Sequence, residues 1–394
     1  VCNTTTADDF TTGSRAALRG GTTTVIDFAC PNKGETLHHG LELWHGKADG
    51  KTYCDYGFHM TIDDWSDAIR AELPDMFAAG ISSFKMYLTY PAMMIGDRDI
   101  YLALRALKKL GGIAGFHCEN AGVIDGLIAE RKAAGKLSPR PPIPISRPQG
   151  LEAEAVSRLL RIAQAADCPV VIVHLTNHEA LEEVQRARQP GPDGSMWRPA
   201  PQYLLLDESR LLPGRLLRGR PVCLRAAPAG QEEQKGTSGA PCATGRSRPS
   251  PPTTAPSPWS RKDAGPGSDF TKIPGGLPGR GDPGRADLLL RRGQAEADRI
   301  WAPCAACCAV KIPPGCTVSS PGREFCAGAA TRTSWSTTPK RQPRHPARWT
   351  ASAAADYTPY EGFVTAGSHL PGLSPGPAGR ARRARCWAHP RAST

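Results

Sequence analysis

From Thr22 to Asp207 short apolar runs alternate with longer stretches of helical period, and that beat restricts the fold more than any other feature. "TTTVIDFA" (22–29), "DYGFHMTI" (55–62), "ISSFKMYLT" (81–89), "IAGFHCE" (113–119), "PVVIVHLT" (169–176) and "QYLLLD" (202–207) read as strands. Between them, "DDWSDAIRAELPDMFAAG" (63–80) sets Trp65, Ile69, Leu73, Met76 and Phe77 at three- and four-residue steps, and Gly80 closes the helix. "RDIYLALRALKKLGG" (98–112) and "LEAEAVSRLLRIAQAADC" (151–168) repeat the pattern. Successive βα units imply a parallel sheet, either a (β/α)8 barrel or an open doubly wound sheet. No GxGxxG or GxxxxGK(S/T) follows a strand, so nucleotide-type phosphate binding has no support.

After Arg210 the beat stops, and the composition changes with it. Residues 1–210 hold 22 Lys+Arg against 26 Asp+Glu, and residues 211–394 hold 27 against 11, so the net charge of +12 is −4 plus +16. Proline divides 13 to 25 and cysteine 5 to 8 across the same boundary. The basic remainder lacks Arg-Gly repeats, Lys runs and interleaved aromatics, so no nucleic-acid partner is expected. Its "WAPCAACCAV" has no histidine or second CxxC at zinc spacing. Scattered single cysteines in the acidic half suit a reducing compartment. The chain shows no run of 18 apolar residues, and "VCNTTTADDF" has neither a basic nor an apolar leader region. A cytoplasmic protein with no membrane partner is expected.

Chemistry concentrates at strand ends. In "SSFKMYLTY", Lys85 stands among Phe84, Met86, Tyr87 and Leu88 in a strand expected to be buried on both faces. A buried ammonium is costly, so Lys85 snorkels, pairs or is chemically changed. His117 in "GFHCEN" and His174 in "VIVHLTN" lie at equivalent places on neighbouring βα units, where the carboxyl ends of barrel strands form the active face. Two histidines and a lysine so placed suit a metal site, since neutral imidazole is a common zinc ligand. His59 reads as a packing or supporting residue. His38, His39, His45 and His178 read as residues of solvated helix faces.

These stretches resemble the dihydropyrimidinase/hydantoinase group of cyclic amidohydrolases. The resemblance runs through most of 7–190, including "ADDF.TG.RAAL.GGTTTVIDFA", "CDYGFHM", "SSFKMYLTY", "HCENAGVID", "SRP..LEAEAV.RLLRIA" and "CPVVIVHLT", and resumes in "PQYLLLD", "DFTKIPGGLPG" and "DYTPYEGF". It implies a (β/α)8 barrel whose strand lysine, here Lys85, is carbamylated and bridges two divalent metal ions, usually zinc. It further implies that His117 and His174 ligate the second ion and that Tyr90 stabilises the oxyanion on the substrate. The implied metals acidify a water and polarise an amide carbonyl, and the implied reaction opens a cyclic amide or imide to an N-carbamoyl amino acid. A homotetramer is the implied assembly. Allantoinases and dihydroorotases share the carbamylated-lysine site and stand as alternatives, as does an inactive remnant of the family.

The sequence also departs from the family. The His-x-His pair of the first barrel strand belongs upstream of "ADDF" and has no counterpart in 1–394, so a partial barrel lacking its first strand is expected. The last ligand, an aspartate in a "TDHCPF"-like motif, belongs where this chain reads "PTTAPSPWS" (252–260). Codons for Thr-Asp-His-Cys-Pro-Phe-Thr-Met-Glu, read one nucleotide late, can spell that sequence. Much of 191–200, 211–268 and 280–355 is therefore expected to be out of frame, with family-like islands at 269–279 and 356–364. The expected division is a partial amidohydrolase barrel over 1–210 and a degraded, largely irregular remainder over 211–394. Without the missing ligands, turnover far below the family's is expected.

Overall fold

The computed structural model describes residues 5–19, 24–137, 145–187, 196–198, 269–272, 337–338 and 368–369. Within them the apolar runs form strands and the segments of helical period form helices. The order is α1 (Phe10–Arg19), β1 (Thr24–Ala29), α2 (Leu37–Ala48), β2 (Asp55–Thr61), α3 (Asp67–Ala78), β3 (Ser83–Tyr87) and α4 (Asp97–Leu110). It continues with β4 (Ile113–His117), α5 (Ala121–Ala133), α6 (Gly150–Ala166), β5 (Val170–Val173), α7 (His178–Arg186) and β6 (Met196–Arg198).

The six strands are parallel and lie side by side in chain order. An open doubly wound sheet reverses its order at a switch point. This sheet does not reverse among the described strands, which is the winding of a (β/α)8 barrel and the fold class expected from the sequence.

Strand pleating sorts the residues into two faces. On β3, Phe84 packs on Phe77 of α3 with ring centroids 5.8 Å apart, so Phe84 and Met86 face the helices while Ser83, Lys85 and Tyr87 face the other way. Register carries that second face across the sheet: Thr61 aligns with Lys85, Lys85 with Gly115, and Gly115 with Val171. The helix-side face is apolar, with Phe84, Met86, Ala114, Phe116, Val170 and Ile172 all buried. Polar side chains therefore collect on the face turned away from the helices.

Helix α4 shows how the outer layer is specified. Ile100, Ala103, Leu104 and Leu107 form its buried stripe, and each large member contributes about 1.5–3 kcal/mol through burial. Gly111 ends the helix at φ 76°, its N–H reaching the carbonyls of Leu107 and Lys108. Gly112 then lets the chain turn under α3, where a Cβ would lie 2.7 Å from Phe77 Cζ. Truncating Leu107 would break this packing at a cost of about 2–5 kcal/mol.

A strand at Met196–Arg198 was not expected, since 191–200 reads as out of frame. Its pairing with β5 uses backbone groups, which any non-proline residue supplies whatever its side chain. The expected strand at 202–207 lies outside the described residues, as do the 356–364 island and most of 211–394. Of the other island, residues 269–272 are described: Phe270 is buried and its N–H donates to Leu137 O beyond α5 at 3.0 Å. Among the described residues no helix is long and apolar enough to cross a membrane.

Candidate active site

Two strands end in the same four-residue pattern, "HCEN" (117–120) after β4 and "HLTN" (174–177) after β5. In each, the asparagine caps the next helix: Asn120 Oδ1 accepts from Val123 N at 3.1 Å, and Asn177 Oδ1 from Ala180 N at 2.9 Å. The cap fixes where the helix begins, and so fixes the histidine three residues earlier at the strand's carboxyl end.

His117 continues the face of Lys85 and Gly115, since it aligns with Tyr87 two residues further along. His174 follows Val173, and simple alternation would turn it toward the helices. Its φ of +46° breaks the alternation. The result is that His117 Nδ1 and His174 Nε2 lie 2.8 Å apart. Tyr90 also has positive φ, +72°, just beyond β3, and its hydroxyl lies 3.1 Å from His117 Nε2. For non-glycine residues such backbone costs of order 1–3 kcal/mol and collects at functional sites.

Lys85 is 2% exposed, with Nζ 4.6 Å from the centre of the Tyr87 ring. Tyr87 in turn lies 6.1 Å from the His117 ring. Lys85, His117, His174 and Tyr90 thus occupy one neighbourhood on the inner face. His59 stacks on Phe28 and its Nδ1 lies 2.6 Å from Ser83 Oγ, a packed position lower on that face. His38, His45 and His178 pair with Asp75, Asp49 and Glu182 on helix surfaces.

Two residues with no expected role complete the cluster. Glu119 is 3% exposed, and its Oε2 lies 2.7 Å from His117 Nε2 and 2.5 Å from Arg147 Nη1, with the Tyr90 hydroxyl at 3.5 Å. Burial holds His117 below the ordinary imidazole range despite the pull of Glu119. Burial would raise Glu119, but the His117 hydrogen bond and the Arg147 guanidinium hold it below the ordinary carboxylate range. Glu119 could have been noticed as an acid two residues after a strand histidine. Arg147 has no local signal, because its partner is 28 residues away.

The residues leading into α6 brace both turns. Arg147 holds Glu119, and Glu152 accepts from Thr176 N at 3.0 Å, from the Thr176 hydroxyl and from Asn177 Nδ2 at 2.7 Å. Burial pushes Glu152 up to about 8. Asn120 N also donates to Leu151 O at 3.2 Å. Among the described residues no group of three or more His, Cys, Asp or Glu is arranged to hold a metal ion.

No family model matches the chain. A crystal structure of a D-hydantoinase superposes with a TM-score of 0.85 at 30% identity, covering 98% of this chain and 82% of that one. The chain belongs to the D-hydantoinase/dihydropyrimidinase family. The dihydropyrimidinase of Brevibacillus agri gives a TM-score of 0.86 at 28% identity, covering 98% of this chain and 82% of that one. In sequence, the D-hydantoinase of Streptomyces coelicolor is 36% identical over 285 residues, which are 72% of this chain and 60% of the relative. The dihydropyrimidinase of Rattus norvegicus is 38% identical over 186 residues, 47% of this chain and 36% of the relative. The chain therefore spans less than two thirds of the length of these two sequence relatives.

Proposed function

We propose that this chain carries part of the catalytic barrel of a metal-dependent hydrolase that opens cyclic amides or imides, dihydropyrimidines or hydantoins, to N-carbamoyl amino acids. The observation that carries the reading is the approach of His117 Nδ1 to His174 Nε2 at the ends of adjacent strands, on the face that also holds Lys85 and Tyr90. The relatives named above are two hydantoinases and two dihydropyrimidinases, which supports the substrate class.

The residues present fit one part of a metal centre. Two imidazoles bring His117 Nδ1 and His174 Nε2 to 2.8 Å, and a lysine 2% exposed stands on the same face. His117 and His174 would hold one divalent ion, and Lys85, converted to a carbamate, would supply oxygen donors to it and to a second. Zinc suits imidazole and oxygen donors of this kind. When bound, such ions polarise the amide carbonyl and acidify a water.

The chain's own residues do the rest. Tyr90 donates its hydroxyl hydrogen to the carbonyl oxygen as negative charge grows there. The apolar layer behind β3 and β4 excludes water from the helix side of the site. The residue that passes a proton to the leaving nitrogen in this reading belongs to 252–260, outside the described residues, where the sequence is out of register with the family. Turnover far below that of an intact relative follows. The same reading takes 1–210 as the barrel portion and 211–394 as its damaged remainder, with a homotetramer as the parent assembly. Buried thiols at Cys30, Cys118 and Cys168 suit a cytoplasmic location.

The test is to incubate purified chain with zinc, bicarbonate and dihydrouracil and follow loss of ring absorbance. Slow, chelator-sensitive ring opening that is abolished in Lys85→Ala is expected. Turnover equal to that of an intact hydantoinase, or activity indifferent to chelator and to Lys85, would overturn the reading.

A further inference from the structure

We infer that Glu119, held by Arg147, is a positioning residue that fixes His117 with its proton on Nε2 and so leaves Nδ1 bare toward His174. An ionised carboxylate only accepts hydrogen bonds. Glu119 Oε2 lies 2.7 Å from His117 Nε2, so that nitrogen carries hydrogen. Arg147 Nη1, 2.5 Å from the same oxygen, keeps the carboxylate ionised in a buried place. With Arg147 balancing its charge, Glu119 does not need a protonated imidazole, and a neutral ring has one hydrogen only. Nδ1 is then an acceptor.

The nitrogen of His117 that this leaves without hydrogen is the one 2.8 Å from His174 Nε2. Carboxylate partners of this kind orient metal-ligating histidines in general, and their loss costs about ten- to hundredfold in metal affinity. This consequence rests on reading His117 and His174 as a ligand pair, while the proton positions do not.

The experiment uses the full chain, isotope-labelled at histidine and stripped of metal, with long-range proton–nitrogen correlation spectra to locate the ring protons. His117 is expected as Nε2–H. Glu119→Gln, whose amide can offer hydrogen to Nε2, is expected to move His117 toward Nδ1–H and to weaken zinc binding about ten- to hundredfold. Arg147→Lys keeps the charge and is expected to retain the wild-type tautomer, which guards against loss of fold in the first variant. An Nδ1–H His117 in the wild-type chain, or an unchanged tautomer in folded Glu119→Gln, would overturn the inference. If the His117 tautomer is as expected and neither histidine binds zinc, the positioning role stands and the metal reading fails.

Discussion

His117 and His174, 57 positions apart in sequence, present Nδ1 to Nε2 across 2.8 Å. Two nitrogens on one tetrahedral zinc, each about 2.0–2.1 Å from it, stand about 3.3 Å apart. An ion held by both rings, as proposed, would therefore need them to separate by roughly half an ångström. Replacing either ring by alanine should lower zinc affinity about a hundredfold or more, measured by competition with a chromophoric chelator. Equal affinity in His174→Ala and wild type would mean that the pair holds no metal.

Tyr90 reaches the cluster through a left-handed backbone, with its hydroxyl as its only polar group there. Tyr90→Phe should keep the fold and the zinc content while slowing ring opening by about 10²–10³-fold, the usual loss when one oxyanion donor is removed. Unchanged turnover would make Tyr90 a rim residue.

Glu152 gives the chain a pH signature. Burial raises it from an ordinary 4.5 to about 8, so between those values the folded chain keeps a proton that the unfolded chain has released. Stability from this group falls as pH rises through that window, by an amount on the order of a few kcal/mol. Urea unfolding at pH 5.5 and 8 should show the decline in wild type and a flatter dependence in Glu152→Gln. Parallel profiles would show that Glu152 titrates normally.

Three thiols in the barrel should be inert. Burial pushes Cys30 up to about 12, Cys168 up to about 11, and Cys118 higher still. Because the thiolate is the reacting species, native protein treated with iodoacetamide at pH 8 should leave these three unlabelled, as peptide mass mapping would show. Labelling of Cys118 at the rate seen in urea would mean that the β4 end opens readily.

Resequencing the gene across codons 190–360 should reveal insertions or deletions relative to homologous genes, bracketing 211–268 and 280–355. An uninterrupted frame would show the altered composition to be genuine.

Period and strand-end position made β1 to β5 and the places of Lys85, His117 and His174 legible in the sequence, whereas Tyr90 was singled out only by the family resemblance. Gly80, at φ 90°, follows α3 as its place in the pattern implied. Two kinds of feature stayed hidden. Glu119–Arg147 is a contact between distant segments, and the proline-rich "RPPIPISRPQG" before α6 gives no sign that Arg147, the second of its two arginines, points inward. The turn of His174 onto the face of His117 depends on a positive φ, which no side-chain pattern announces for a histidine. Strand β6 escaped because backbone pairing leaves no trace in composition.

The brace at the start of α6 also bears on timing. The hydrogen bonds described for the two imidazoles and their turns lie between Ser83 and Ala180. Domains fold progressively as the chain is synthesised, so every partner of these hydrogen bonds has left the ribosome once α7 is released, before β6 arrives to pair with β5. Misreading or proteolytic trimming downstream of Arg210 would leave all of those partners, and β6 with them, in the chain.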